Sequence, residues 1–130
     1  MLNIEKPETL IELLASYRQT PVPKTPVRQR DVVGMAATIE RNCVLTAYFA
    51  DRTLQNQEQE GEEVYTLLAV REEAMVLRRH CAGFAIRRRG RNLPEEVESL
   101  RRRYDNFTGS VRHLFHLLDS SLARRLDGVL

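Results

Sequence analysis

VESLRRRYDNFTGSVRHLFHLL, residues 97–118, decides the fold. Within it Val97, Leu100, Tyr104, Phe107, Val111, Leu114 and Leu118 recur at intervals of three and four residues. That period keeps one stripe of an α-helix apolar and cannot line one face of a strand. Pro94 suits a first helical turn, where its missing N–H costs nothing, and Glu95 and Glu96 complement the positive end of the helix dipole. Leu122 and Leu126 continue on an adjacent stripe to Asp127 and Gly128, so one helix over about 94–127 is expected. Phe115 and Leu117 widen the apolar face, which then needs more than one neighbouring helix. Gly109 lies inside this segment at a cost of about 1 kcal/mol relative to alanine, and is read as a close helix crossing.

Upstream, Leu67, Val70, Ala74, Leu77, Cys81 and Phe84 repeat the same spacing and predict a helix over about 62–88, ended by Gly90. The short basic stretch at 87–93 makes these two helices an antiparallel hairpin. A further helix over about 30–54 begins at the capping candidate Asp31. Its apolar face is read as Val32, Met35, Ile39, Cys43, Val44, Ala47 and Tyr48, extended by Phe49 and Leu54. QNQEQEGEE, residues 55–63, holds no apolar residue, and a helix crossing it buries nothing there. A turn centred on Gly61 is expected; the alternative is one continuous helix of about 60 residues, roughly 90 Å long.

At the N-terminus Pro7 and Glu8 precede Leu10, Leu13, Leu14 and Tyr17, an amphipathic helix of about three turns within residues 1–19. TPVPKTPVR, residues 20–28, carries three prolines and favours an extended polyproline-like linker. Residues 29–130 form the helical domain. The expected architecture is all-α: a helical bundle or coiled-coil hairpin with a short N-terminal amphipathic arm on a Pro-rich linker. The arm is expected to dock on a partner chain, with folding back onto its own domain as the alternative.

The charge pattern carries the functional reading. In 130 residues, 20 Lys and Arg oppose 18 Asp and Glu for a net of +2, and only Lys6 and Lys24 are lysines. Residues 31–70 are acidic by a net of −5, whereas residues 71–103 are basic by +5. The hairpin is expected to gather Arg87, Arg88, Arg89 and Arg91 near Arg101, Arg102 and Arg103, a guanidinium patch suited to phosphates or carboxylates. The plain alternative is a solvated face in an arginine-biased sequence with no partner; two partner classes also fit it. An acidic protein surface is one, and this chain contains such a surface at 58–63. Nucleic acid is the other, although the patch offers no free aromatic for base stacking and the pI is only 8.7.

The leading expectation is a non-catalytic helical protein–protein interaction or assembly protein (adaptor, scaffold component or chaperone). It self-associates, as a dimer before a closed monomer, through Leu67, Val70, Leu77, Phe84, Leu100, Tyr104, Phe107, Val111, Leu114 and Leu118. The alternative is a small nucleic-acid-binding regulator gripping phosphates through the arginines.

Catalytic chemistry finds little footing. There is no Gly-rich phosphate loop, no His-Glu-x-x-His and no nucleophile elbow, so neither an enzyme nor a cofactor is expected. His113 and His116 are three apart, but only Asp119 stands near as a companion, and they are read as solvent-facing. Cys43 and Cys81 lie on apolar faces as small hydrophobes, which fits a reducing cytoplasmic or nuclear compartment. Pro23–Arg28 has the PxxPxR form accepted by polyproline-binding grooves, and Thr25-Pro26 the form of a proline-directed phosphorylation site; both patterns are short. Asn106-Phe107-Thr108 matches the glycosylation pattern but is discounted, because Phe107 sits on the seam. No apolar run approaches the roughly 20 residues of a membrane span, and no secretory signal is expected.

Overall fold

A computed structural model describes residues 6–19, 21–22, 29–56, 61–84 and 93–130, with the side chains at 29–31, 84, 93 and 94 outside the description. It contains five helices: α1 (Leu10–Gln19), α2 (Gln29–Gln55), α3 (Glu62–Phe84), α4 (Leu93–Leu118) and α5 (Ser120–Asp127). No strand occurs among the described residues. The Asp31 cap, the Gly90 stop and most of the proline segment fall outside the described residues or side chains.

Local chemistry sets the ends. Thr9 caps α1: its Oγ1 accepts the Glu12 N–H at 3.2 Å and donates to Glu12 Oε1 at 3.0 Å, which satisfies one backbone donor of the first turn. Gly61 separates α2 from α3 with φ +58, a left-handed conformation that favours glycine. Its carbonyl accepts the Tyr65 N–H, the first turn of α3. Residues 94–127 are not one helix. Asp119 takes an extended conformation and accepts the Ser121 N–H at 3.1 Å and the Ser121 hydroxyl at 2.6 Å. These bonds, the hydroxyl's first, hold the Asp119 carboxyl below the usual carboxylate range. Asp-Ser-Ser is a sequence whose side chains prefer capping to continuing a helix, and the chain turns there.

α2 and α3 are the most extensively paired elements, antiparallel across the Gly61 turn and clipped by Arg71–Asp51 at 2.9 Å. α4 packs next most extensively, on α3, with a smaller contact to α2. The hairpin expected of α3 and α4 is therefore subordinate to the α2–α3 hairpin. α1 lies antiparallel on the second half of α2, and α5 touches α4 and α1. Arg52–Glu8 at 3.3 Å and Arg112–Asp127 at 3.2 Å tie α1 to α2 and α5 to α4.

The core runs through all five helices, from Leu13, Leu14 and Tyr17 to Leu122 and Leu126. In α2, Val32, Met35, Ile39, Cys43 and Phe49 face inward as expected, but Val44 is exposed and Leu45 and Ala50 are buried instead. The inward face turns because α1 covers a second side of the helix. Two polar residues of α2, Asn42 and Thr46, are also buried there. The Tyr17 hydroxyl bonds Thr46 Oγ1, Thr46 Oγ1 donates to the Asn42 carbonyl at 2.7 Å, and Asn42 Nδ2 donates to the Tyr104 hydroxyl at 3.3 Å. Gly109 does not mark a close crossing: a Cβ there would meet nothing within 4 Å.

Three stability outcomes follow from this packing. Tyr17→Phe removes one buried hydrogen bond and should cost about 1 kcal/mol in urea unfolding, where an unchanged midpoint would argue that the hydroxyl is not buried. Gly109→Ala should gain up to about 1 kcal/mol, because the new methyl enters open space and the helix no longer carries glycine's entropy; a destabilised variant would mean α4 is approached closely there. Alkaline pH should unfold the protein. Burial pushes the Cys81 thiol from 9.0 to about 12 and the Tyr104 phenol from 10.0 to about 12, the latter partly offset by the Asn42 bond. Burial raises Cys43 and Tyr17 further still. The unfolded chain sheds these protons first, so stability is intact below 9.0 and falls as pH climbs toward about 12. In a Tyr48→Phe/Tyr65→Phe variant, which leaves only the two buried phenols, tyrosinate absorbance should rise together with loss of helicity; phenols of that variant titrating near 10.0 in a still-helical chain would contradict their burial.

Candidate interaction surface

The 3-4 seam is an interior. Leu67, Val70, Leu77, Leu100, Tyr104, Phe107, Val111 and Leu114 are all at most 5% exposed within the single chain. Leu118 is half-buried, and the Phe84 side chain lies outside the description. Phe115, which flanks the seam, is completely buried as well. The physical reason is geometric: α2 and α3 pair first, α4 closes over them, and α5 folds back where the apolar face of α4 widens. Contact between copies through these side chains would require the bundle to open.

The arm is also satisfied in cis. Leu13, Leu14 and Tyr17 are at most 1% exposed against α2 and α5 of their own chain, and Leu10 is half-buried. Docking on a partner chain is thus replaced in this structure by folding back. Only Ile11, 61% exposed, leaves an apolar side chain of α1 in solvent.

Of the arginine patch, Arg87, Arg88, Arg89 and Arg91 lie outside the described residues. Arg102 and Arg103 are exposed on α4 and Arg101 is half-buried; Arg78 and Arg79 are exposed on α3. Arg78 exerts an electrostatic pull on the Cys43 thiol and Arg103 on the Cys81 thiol. Guanidinium groups of both helices therefore sit around the same cysteine-bearing section of the bundle. The cysteines themselves are buried, with the thiols pushed up, and behave as small apolar groups rather than nucleophiles. His113 pairs with Glu62 of α3 at 3.3 Å, joining α4 to the start of α3, and His116 is exposed. Among the described residues no three His, Cys, Asp or Glu side chains gather as metal ligands, and no helix is long and apolar enough to cross a membrane.

The surface that the seam analysis missed lies on the far side of α3. Tyr65 is 75% exposed, Leu68 38% and Val76 46%, on the face opposite Leu67, Val70, Ala74 and Leu77. They account for three of the five large exposed apolar side chains among the described residues, the others being Ile11 and Val44. Beside them the α3–α4 groove opens into two connected hollows that share Asn106. One, about 270 Å³, is lined by Glu72, Glu73, Val76, Leu77, Arg103 and Phe107 as well as Asn106. The other, about 480 Å³, adds Tyr65, Thr66, Ala69, Val70, Gly109, Ser110 and His113. The signal was present in the sequence. Tyr65, Leu68 and Val76 stand at helical spacing around Glu72, but the denser inner stripe masked them. The groove is shallow and open, its polar groups do not converge on one point, and it offers a surface for side chains rather than an enclosed reaction site.

No family model, no curated protein and no solved structure matches this chain.

Proposed function

We propose that this protein is a non-catalytic helical interaction or assembly protein that works through protein–protein contacts, self-association included. The observation that carries the reading is the second apolar face of α3, where Tyr65, Leu68 and Val76 remain exposed on a helix whose other face is already buried. Scattered single apolar side chains need no explanation on a surface, but a row on one helix beside an open groove is the form that helix-docking surfaces take. The reading keeps the self-association expected of the chain and moves it from the buried seam to the outside of the bundle.

A second reading rests on Arg78, Arg79, Arg102 and Arg103, all exposed on the packed helices α3 and α4. Such a cluster supports phosphate contacts with a nucleic acid and little sequence preference. The shortage of exposed aromatics near the cluster keeps it second.

Light scattering behind size exclusion, at low and high salt, tests the first reading. A mass at least twice 15.1 kDa is the expected result, and 15.1 kDa at every concentration and salt would remove self-association from it. For the second, a salt-sensitive mobility shift with duplex or structured RNA should vanish when Arg78, Arg79, Arg102 and Arg103 become Ala. Absence of any shift at low salt would end that reading.

A further inference from the structure

We infer that Cys43 and Cys81 are a redox pair, and that a hydroperoxide converts them into a disulfide clasping α2 to α3. They are the only two cysteines of the chain, both free thiols and both buried, at 0% and 3% exposure. The antiparallel pairing of α2 and α3 brings them to one level. The Arg71–Asp51 ion pair ties the two helices at one point. From Asp51 back to Cys43 is eight residues, about 12 Å of helix, and from Arg71 on to Cys81 is ten, about 15 Å. The two positions are therefore offset along the axes by roughly 3 Å. Packed helices have axes about 8–10 Å apart, with Cα atoms about 2.3 Å from each axis. Inward-facing positions at this offset have Cα atoms roughly 4.5–6 Å apart, the span that a disulfide bridges. Glu40 acts electrostatically on both thiols, and Cys81 acts on Cys43, so one microenvironment holds the pair.

The two sulfurs are unequal, and their positions set the order of events. In the closed bundle neither is a ready nucleophile: burial pushes the Cys81 thiol up to about 12 and the Cys43 thiol further. Cys81 stands three residues from the end of α3, whereas Cys43 lies in the middle of α2. Helix ends open at far lower cost than helix centres, so fraying of the last turn of α3 bares Cys81 first. Once bared, its thiol loses a proton to water and the thiolate attacks the hydroxyl oxygen of the hydroperoxide. The O–O bond breaks, the leaving oxygen takes up a proton as alcohol or water, and Cys81 becomes a sulfenic acid. When the turn closes, the Cys43 sulfur attacks the Cys81 sulfur, the S–O bond breaks, and hydroxide leaves as water with the Cys43 proton. Two thiols give up two electrons to one peroxide bond, and one disulfide results. The bond ties the most extensively paired helices through the loop of residues 43–81, which restricts the unfolded chain more than the folded one. Oxidation thus locks the bundle and a thiol reductant unlocks it, the transient kind of disulfide found in reducing compartments.

Treatment of the full chain with hydrogen peroxide, followed by alkylation in denaturant and tryptic mapping, tests the pair. Peptides 42–52 and 80–87 should be recovered joined, from a chain that runs as a single molecule on a non-reducing denaturing gel, and should separate on reduction. The oxidised chain should keep its helicity, unfold at a higher urea concentration, and return to the original midpoint with a thiol reductant. Two variants read the order of attack. Cys43→Ala should accumulate a sulfenic acid at Cys81, captured by dimedone, and in Cys81→Ala the remaining Cys43 should react at least about tenfold more slowly. Unmodified thiols, sulfinic or sulfonic acids without a bond between the sulfurs, or cross-links between chains only would overturn the inference. So would an internal disulfide gained at the cost of helicity or of the urea midpoint. Equal reaction of the two single-cysteine variants overturns the assignment of Cys81 as the first sulfur.

Discussion

Thr46 has one hydrogen to donate and gives it to the Asn42 carbonyl one turn back, so its oxygen faces Tyr17 as an acceptor. The direction of the remaining bonds follows. Tyr17 on α1 donates to Thr46, and the Asn42 amide donates to Tyr104 on α4. α2 thus holds one tyrosine from each of two other helices, all four side chains being at most 5% exposed. Apolar packing alone tolerates rotation and sliding of one helix against another, because many arrangements bury similar areas. A buried hydroxyl that loses its partner costs about 1–3 kcal/mol, so only the rotations of α1 and α4 that complete this chain of bonds are acceptable. Docking of the N-terminal arm in cis depends on it: Leu13 and Leu14 supply the area, and Tyr17 supplies the address.

Much of the helical content was legible because period, capping and proline placement act locally. The boundaries of α2 and α3 and the turn at Gly61 come from one feature, a run without apolar residues that no buried helix can cross. Less legible was which helices pair. A 3-4 stripe states that a face is buried without stating against what, and the stripes of α3 and α4 read equally well as an interface between copies or as an interior. The outcome turned on elements whose influence is tertiary: the Asp119-Ser120-Ser121 cap, which folds α5 back, and the α1 contact, which turns the inward face of α2 toward Leu45, Thr46 and Ala50. Asn42 and Thr46 carried no periodic signal, since a polar residue on an apolar face reads as a gap in the pattern.

The missed face of α3 illustrates the same limit from the other side. Tyr65, Leu68 and Val76 dilute the amphipathic contrast of the helix, because apolar residues stand on both sides of its axis. A helix apolar on two sides sits either in the middle of a layer or between two bodies. α3 already has α2 and α4 as neighbours. Its remaining side faces solvent, and three of the five large exposed apolar side chains among the described residues lie there.

Charge and apolar area play different roles at such a surface. With a net charge of +2 in 130 residues, two copies repel only weakly as whole bodies. What they sense at contact range is the separation of acidic and basic segments along the chain. At physiological ionic strength the screening length is about 8 Å, so this pattern acts only when surfaces are nearly touching and cannot draw copies together from a distance. It can still decide between orientations that bury the same apolar area, because juxtaposing like charges is penalised and juxtaposing opposite charges is not.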